Sequence, residues 1–498
     1  MKKWLIVLTV LYCFSLCGCG NKNADGETTD TTDNSLSTEI DETTEFMGTE
    51  PTKEIVGDSG NASNKENNTG KQENTKPTEA TQADHTHFFS GWKVTQAATC
   101  TQGSVETRKC TRCTVVETRT HEPKGHTYAA GSYICSTCHY VDIRTTGSVA
   151  ELGNLAKYEK GNVANYVWDV YVFNGKVYRG AGDYDKNSGK TDLMAFNIAE
   201  NCWEINGTAD DEAIHRYVEI DGKLYAPGID SNDGDGQVTG NFYTLENNTF
   251  KKVRNVPNGV HCFDMIGFDG KMFIATGTGK TQKVIAMSTD NGKSWNYLPI
   301  YKDGNLIDAS GHDQSWSRGY EFAEFGGKLY AMVSFKEASG YTQNIFVYDG
   351  DKMDYVNTFT FGQSVRNRVN RVYWQGKVEF QNKLYLVTDS LYSISDFSNA
   401  STRKVYKLDT GKEMATDVIV HNNTMYVLSY MTNSDGTYKT VIFKSTTGEA
   451  GSFTKVASFD YGGIPYSFDF DGTYFYVGIG QASTNSPEKA GMLLRVKP

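Results

Sequence analysis

The strongest constraint on the fold is a strand-turn-strand unit that recurs seven times between Asp169 and Pro498. In each copy, a short, mostly apolar strand ends at a tight turn, and an aromatic residue follows the turn in the next strand. The turns follow Phe173, Ile220, Phe268, Phe325, Phe380, His421 and Phe470. A strand-built repeat of roughly 40 to 57 residues is typical of a radial β array. The sequence therefore predicts an all-β fold for residues 146–498, a seven-bladed β-propeller with four-stranded blades. Six or eight blades are the alternatives.

The chain ends suggest how such an array closes. The last repeat stops soon after its third predicted strand at 493–496, so its fourth strand has to come from elsewhere in the chain. We expect residues 146–157 to supply it, because pairing the two chain ends removes an open sheet edge. The third strand of the fifth repeat is expected at 404–408.

Composition limits the partners. The 49 glycines and 55 Tyr and Phe residues (30 and 25) suit turns and pleated faces, while 9 prolines are few for a chain of 498 residues. A net charge of -11 argues against a nucleic-acid partner, which needs a basic surface to neutralise phosphates. We expect a monomer, with no cofactor in the propeller.

The N-terminus predicts export. Lys2 and Lys3 precede an apolar run that is too short for a stable membrane span, followed by Leu16-Cys-Gly-Cys19. This tetrapeptide resembles the lipobox of bacterial lipoproteins, which implies a signal peptide at 1–18 and a lipid-modified Cys19. The alternative is an ordinary signal peptide with chance cysteines. The resemblance implies a protein anchored to the bacterial cell membrane by lipid, facing the extracellular side or the cell wall.

Residues 19–84 are predicted to form a disordered tether. Thr, Asn, Glu, Asp, Ser and Lys dominate this stretch, and large apolar residues are nearly absent. Such a segment buries too little surface to offset the entropy of ordering its backbone.

A Cys/His module follows at 85–142. Two Cys-x-x-Cys pairs lie 21 residues apart, a spacing typical of a four-thiolate zinc site, and they consist of Cys110, Cys113, Cys135 and Cys138. The extracellular setting keeps disulfides as an alternative, and redox chemistry as another. A fifth cysteine, Cys100, complicates the four-ligand count, and nearby histidines are candidate replacement ligands.

The order His, Trp92, Ala-Thr-Cys100-Thr, Cys-x-x-Cys and Gly-His resembles small zinc-ribbon-like repeats in surface proteins of gut-type Firmicutes. The chain contains one full unit, from Trp92 to Cys113, and a second, shorter one from about Gly125 to Cys138. The resemblance implies a structural or adhesive module with a structural zinc ion. Small domains need such a staple, since core burial alone rarely holds them together.

One turn in the propeller region resembles the Asp-box hairpin of sialidases and other propellers. It reads Ser288-Thr-Asp290-Asn-Gly292-Lys-Ser294-Trp295. We expect a structural role, in which the carboxylate of Asp290 accepts backbone N–H groups, Gly292 supplies a positive φ and Trp295 covers the turn. An opening arginine motif of the sialidase type is absent before the first repeat, so the catalytic residues of that family do not carry over.

A ligand is expected at the axial mouth, where the innermost strands begin. The candidate binding residues combine carboxylates and arginines with aromatic side chains, which would suit a polar glycan. They are Asp169, His215, Arg216, Asp264, Trp316, Arg318, Glu321, Arg371, Trp374 and Asp417. The competing interpretation is that these polar groups only hydrogen-bond water or strand ends.

These features favour a lipid-anchored surface protein whose propeller binds an extracellular glycan or a surface protein without turnover. The alternative is a glycan-processing enzyme, a glycosidase or sialidase-like hydrolase, with its site on the same axis. A purely structural wall protein shares most features of the first hypothesis.

Overall fold

A computed structural model describes residues 85–155, 165–183, 189–232, 239–277, 284–307, 318–337, 340–362 and 374–498. Residues 85–498 form one compact unit. The predicted signal peptide, Cys19 and the tether lie outside the described residues. Within the described ranges, secondary structure is almost entirely β, which confirms the predicted class. No helix in these ranges has the length and apolar character that crossing a membrane requires.

The Cys/His module contains one small antiparallel sheet, in the order β1-β2-β3. Its strands are β1 (Lys93–Gln96), β2 (Val105–Lys109) and β3 (Val116–Thr120). Nearly all residues of these strands are exposed or half-buried, so the sheet has no apolar core of its own. The guanidinium groups of Arg108 and Arg119 lie 4.7 and 4.4 Å from the ring centroid of Trp92. The chain then forms β4 (Arg144–Thr146) and β5 (Val149–Gly153).

Four-stranded antiparallel units follow in sequence order, each with its strands paired first to second, second to third and third to fourth. The first is β6 (Asp169–Phe173), β7 (Lys176–Gly180), β8 (Thr191–Asn197) and β9 (Cys202–Ala209). The second is β11 (Val218–Ile220), β12 (Lys223–Pro227), β14 (Thr239–Glu246) and β15 (Thr249–Pro257). Two short strands, β10 (Asp211–Ala213) and β13 (Ile229–Ser231), pair with each other beside it.

A twelve-stranded sheet holds the next two units together with β10 and β13, since Ile229 of β13 pairs with His261. The third unit is β16 (His261–Phe268), β17 (Lys271–Gly277), β18 (Ile285–Ser288) and β19 (Asn296–Tyr297). The fourth is β22 (Arg318–Phe325), β23 (Lys328–Glu337), β24 (Gly340–Tyr348) and β25 (Met353–Phe359). Pairing of Gly277 with Arg318 joins them, and β20 (Ile300–Lys302) and β21 (Asn305–Leu306) extend the edge at β25.

Three units complete the chain. The fifth is β26 (Lys377–Phe380), β27 (Lys383–Val387), β28 (Leu391–Ile394) and β29 (Lys404–Tyr406). The sixth is β30 (Met414–His421), β31 (Thr424–Thr432), β32 (Tyr438–Ser445) and β33 (Thr454–Tyr461). The seventh contains β34 (Gly463–Phe470), β35 (Phe475–Ala482) and β36 (Leu493–Val496). Short 3₁₀ turns occur at Ala400–Thr402 and Pro487–Lys489.

The recurrent turns form for a local reason. In the first unit, Phe173 pairs with Lys176, and the two residues between them, Asn174 and Gly175, have φ of 48° and 74°. Two successive positive φ values define the type I′ turn, whose twist matches that of the flanking strands. The Gln381-Asn382 turn of the fifth unit has the same geometry without glycine, at 49° and 58°. The seventh turn, after Phe470, is longer, since Phe470 pairs with Phe475.

The core lies between consecutive units. Tyr178 of the first unit and Tyr243 of the second belong to one buried cluster, and similar clusters lie between each later pair of neighbouring units. A further buried cluster contains Val177 of the first unit with Tyr476 and Leu493 of the seventh. Apolar packing therefore continues from the last unit back to the first.

The chain ends pair as the sequence predicts. β36 is antiparallel to β5, with Leu494 opposite Glu151 and Val496 opposite Val149. The N-terminal strand thus supplies the fourth strand of the seventh unit, and β4 adds a fifth.

One predicted strand was placed wrongly. Residues 404–408 were expected to contain the third strand of the fifth unit, but β28 holds that position and β29 is the fourth. The short run Leu391–Ile394, bounded by turn residues, is fully buried. This run is only four residues long and lacks alternating polar residues, so it indicated a strand less clearly than residues 404–408 did.

The Cys/His module is attached to the first unit through its last residues. The backbone N–H of Val141 donates to the carbonyl of Asn201 at 2.7 Å, and the N–H of Trp203 donates to the carbonyl of His139 at 3.1 Å. Val141 is fully buried in the cluster that contains Trp203. The end of the module therefore adds to the edge of β9.

Candidate functional site

A cavity of about 470 Å³ lies among the first strands of six units. Four of the predicted binding residues, Asp169, Arg216, Asp264 and Asp417, line it together. Its wall also contains Lys377 and apolar side chains of β6, β30 and β34. The structure therefore brings these four predicted residues together, and their role in binding stays a prediction. The sequence interpretation missed Lys377.

Arg216, Asp264 and Lys377 form a buried network with Glu321, which does not line the cavity. Arg216 Nη1 lies 2.8 Å from Glu321 Oε2 and 3.6 Å from Asp264 Oδ2. Lys377 Nζ donates to Glu321 Oε2 at 2.7 Å and also to Asp264 Oδ2. Arg216 Nη2 donates to the carbonyl of Trp374 at 2.9 Å. Two cations and two anions balance here, as burial of ionic groups requires.

The network has electrostatic consequences. Burial by itself lowers the pKa of Arg216, but the carboxylates of Glu321, Asp264, Asp169 and Asp417 raise it overall. Burial raises the pKa of Glu321, and its two cationic neighbours partly oppose that shift. The guanidinium therefore stays charged.

Three aspartates in the first strands of their units link neighbouring units. Asp169 Oδ2 accepts the backbone N–H of Tyr217 at 2.7 Å in the second unit. In the same way Asp264 accepts from Phe322 at 2.9 Å, and Asp417 from Phe468 at 3.1 Å. The competing interpretation, in which these groups hydrogen-bond strand backbone, therefore describes the contacts of all three.

Asp469 is a site residue that the sequence analysis missed. Its two oxygens accept the backbone N–H groups of Val172 at 2.7 Å and Phe470 at 2.8 Å. Burial raises the pKa of Asp469 to about 7, with Asp169 and Asp417 adding like-charge repulsion. The sequence signal for Asp469 was its position between Phe468 and Phe470 in a first strand. Burying a carboxylate in an apolar strand costs free energy unless the group is hydrogen-bonded or paired, so such a residue indicates a specific role.

The other predicted binding residues lie in different environments. His215 packs against Trp168, with ring centroids 4.5 Å apart and ring planes tilted by 35°. Arg318 is buried and packs over Gly277, where a Cβ would meet its Cδ at 2.1 Å. Trp374 was expected at the ligand surface, but it is fully buried in an apolar cluster, so its indole belongs to the core. Trp316 and Arg371 lie outside the described residues.

The Ser288 to Trp295 hairpin has the expected internal bonds. Asp290 Oδ1 accepts the backbone N–H of Ser294 at 2.9 Å, and Ser288 Oγ accepts that of Gly292 at 2.8 Å. Gly292 has φ of 78°, and Trp295 is buried. Hydrogen bonds from Ser294 and Ser288 lower the pKa of Asp290 to about 2. These contacts are those of a structural turn.

The Cys/His module brings its ligating residues into two groups. One consists of His85, His87, Cys110 and Cys113, and the other of Cys100, His126, Cys135 and Cys138. Within each group one ligating atom of every residue lies within 4.8 Å of the others.

The four predicted cysteine ligands are therefore not brought together at one site. The pair Cys110 and Cys113 lies with two histidines, and the pair Cys135 and Cys138 lies with Cys100 and one histidine. Sequence spacing does not reveal this division, because it depends on how the segment between the two pairs folds back.

Comparisons with known proteins add little. No protein-family model and no curated protein matches the chain. Solved structures that resemble it include "YCF48 bound to D1 peptide", with 11% identity, 73% of this chain and 98% of the other covered, and a TM-score of 0.41. Another is the beta-propeller domain of the Trilobed protease from Pyrococcus furiosus, with 10% identity, 64% and 93% covered, and a TM-score of 0.38.

Proposed function

We propose that this chain is a lipid-anchored bacterial surface protein whose seven strand units form a closed β-propeller that binds an extracellular ligand in its axial cavity without turnover. The observation that carries the proposal is the cavity itself, in which first strands from six units converge. Pairing of β5 with β36, and the buried cluster shared by the seventh and first units, support closure. In this arrangement the twelve-stranded sheet comprises two blades.

A polar glycan is the ligand that the cavity suits best. Asp169, Asp417 and Asp469 line the cavity, and carboxylate oxygens accept hydrogen bonds from sugar hydroxyls. Valines and other apolar residues of the same strands supply surface for the less polar face of a sugar ring. Trp374 does not contribute, because its indole is buried.

Binding without turnover follows from how the carboxylates are engaged. Asp264 and Glu321 are ion-paired with Arg216 and Lys377. Asp169 and Asp417 accept backbone N–H groups of the neighbouring unit. Groups held in this way keep the sheets together and are poorly placed to exchange protons with a substrate.

One observation favours the alternative, a glycan hydrolase. The raised pKa of Asp469, about 7, keeps part of this carboxyl protonated near neutral pH, while Asp169 and Asp417 lie close enough to repel its charge. An acid with a raised pKa near an ionised carboxylate is the pair that most glycosidases use.

A substitution that fills the cavity with a larger side chain tests the binding site. Val420 lines the cavity and is 37% exposed, so Val420→Trp should fill space without removing an inter-sheet bond. Val405→Trp is the control, because Val405 is 56% exposed on β29 and is not part of the cavity wall. We expect retention on the bound polysaccharide from a cell-surface panel to fall at least tenfold for the first variant and to stay unchanged for the second.

Two outcomes would contradict the proposal. Undiminished binding by Val420→Trp would place the site elsewhere. Release of new reducing ends by the wild-type chain, lost in Asp469→Asn, would establish the hydrolase instead.

The anchor is tested separately. Growth of the native host with a radiolabelled or clickable fatty acid should label the wild-type chain but not Cys19→Ala. The labelled protein should fractionate with membranes. An unlabelled, secreted wild-type chain would favour the ordinary signal peptide.

A further inference from the structure

We infer that the Cys/His module holds two separate zinc ions, one bound by His85, His87, Cys110 and Cys113, the other by Cys100, His126, Cys135 and Cys138. Each set supplies four ligating atoms close to one another. Tetrahedral sites with sulfur and nitrogen ligands are characteristic of zinc.

Distances between ligating atoms fit that geometry. In the first set, Cys113 Sγ lies 3.4 Å from His87 Nδ1, and Cys110 Sγ lies 3.7 Å from His85 Nε2. In the second, Cys138 Sγ lies 3.3 Å from His126 Nδ1. A tetrahedral ion with Zn–S of about 2.3 Å and Zn–N of about 2.05 Å separates its sulfur and nitrogen ligands by about 3.6 Å.

The sulfur pair of the second set agrees as well. Cys100 Sγ and Cys135 Sγ are 3.9 Å apart, close to the edge of about 3.8 Å expected between two thiolates on one zinc ion. A disulfide would require about 2.05 Å. The seven described cysteines are all free thiols. Imidazole nitrogens beside three of the four Cys-x-x-Cys sulfurs also point to a metal, because a disulfide does not need them.

The two sequence units explain why the sets differ. His85-Thr-His87 precedes the first unit, and the matching tripeptide at the start of the second unit is His126-Thr-Tyr128. Tyr128 occupies the position of the second histidine, so the second set lacks one ligand from its own unit. Cys100, from the first unit, supplies the missing ligand.

The path of the backbone makes this exchange possible. The N–H of Gly125 donates to the carbonyl of Cys100 at 3.1 Å, and that of Lys124 donates to the carbonyl of Thr99 at 2.9 Å. The loop after β1 thus lies against the start of the second unit. The second zinc ion would then tie the two units together.

Burial indicates that the ligands are the centre of the module. Within residues 85–140, the buried apolar or sulfur-containing side chains are those of Cys100, Cys110 and Cys135. Phe88, Val94, Val116 and Tyr128 are exposed. A segment without an apolar core needs a metal or a disulfide to fold.

The experiment measures zinc per chain by inductively coupled plasma mass spectrometry on the full mature chain, purified without added reductant and dialysed against a weak chelator. We expect two zinc ions per wild-type chain. Cys110→Ser with Cys113→Ser should leave one, Cys135→Ser with Cys138→Ser should leave one, and all four substitutions should leave none. Cys202→Ser, outside both sets, is the matched control and should keep two.

Cobalt substitution of the wild-type chain provides a measurement that does not depend on variants folding. Sulfur-to-cobalt charge-transfer absorption grows with the number of thiolates, so two sites should show five thiolates bound to two cobalt ions. Loss of all metal in either double variant, with one zinc ion in the wild type, would mean a single shared site and overturn the inference. So would a metal-free wild-type chain whose cysteines resist alkylation, which would establish disulfides.

Discussion

The Cys/His module and the sheets that follow it are held together in opposite ways. In the sheets, each interface between neighbouring units buries a cluster of aliphatic and aromatic side chains. In residues 85–140 the buried apolar or sulfur-containing side chains are those of three cysteines, which lie beside histidines or other cysteines. The same chain therefore uses apolar packing where it has many strands and ligand groups where it has few. Burial per residue grows with domain size, which explains the division.

The two regions meet at a small apolar contact. Val141, at the end of the module, is fully buried beside Trp203 of β9. The second Cys/His group is only a few residues away, and the carbonyl of His139 accepts the N–H of Trp203. This group is thus connected to the sheets, whereas the first group lies at the far end of the segment. Tyr133 and Ile134 of the module also pack against this cluster, so damage to one region should reach the other through several residues.

Metal removal should give the largest difference between the regions. On the full chain, a strong chelator is expected to abolish protection of residues 85–140 against protease, because no apolar core remains to hold them. The sheets should stay resistant. Limited proteolysis with mass spectrometry locates the cuts. Equal resistance of both regions after complete metal removal would show that the module does not depend on metal for its structure.

A core truncation should act in the opposite direction. Phe443 is fully buried between the fifth and sixth units, and Phe443→Ala should lower the free energy of unfolding of the sheets by about 3–5 kcal/mol. Zinc content should not change. Phe88→Ala is the control in the module, since Phe88 is half exposed, and should cost about 0.5 kcal/mol or less. Urea denaturation followed by tryptophan fluorescence measures both; similar costs would show that packing does not separate the regions.

The sheets should also respond to pH through Asp469. Its pKa is about 7 in the folded protein, above the unfolded value of about 3.9, so the folded state binds the extra proton between these values. Stability contributed by this group is therefore fully present below about pH 4 and declines as the pH rises to about 7.

Asp469→Asn should remove that decline, although the amide keeps only one of the two acceptor oxygens. The measurement is the free energy of unfolding at several pH values between 4 and 8 for both chains. Asp351→Asn, an exposed carboxylate, serves as the control and should keep the wild-type slope. An unchanged slope in Asp469→Asn would show that burial does not shift this group.

The smallest effect concerns one turn. Gly222 has φ of +72°, and a methyl group on its Cα would meet no atom within 4 Å, so Gly222→Ala should cost about 1 kcal/mol from backbone strain alone. Gly91, in the module, also has open space but no positive φ, and Gly91→Ala should be neutral. Thermal unfolding compares them. A neutral Gly222→Ala would mean that the turn relaxes and does not set the hairpin geometry.

Much of the fold could be predicted because its signals are local. Asn174-Gly175 and Asp221-Gly222 prefer positive φ whatever surrounds them, so the hairpins follow from dipeptides. The short, fully buried strand β28 was misplaced, because a brief apolar run carries no period to identify it.

The candidate site was predictable only in part. Residue position within the repeat was enough to bring Asp169, Arg216, Asp264 and Asp417 to one cavity. It did not reveal that Lys377 completes the ion network, or that Trp374 points into the core. Those outcomes depend on side-chain packing between units that are far apart in sequence.

The sequence alone determined the β class, the recurrent turns and the pairing of the chain ends. Each depends either on local backbone preferences or on the number of strands in each repeat. Only the tertiary structure decided which cysteines and histidines meet, and which aspartates hold neighbouring sheets. Cys100 lies 35 residues from Cys135 along the chain, yet their sulfurs are 3.9 Å apart. Such contacts arise when separate segments fold back on one another, and spacing along the chain does not encode that distance.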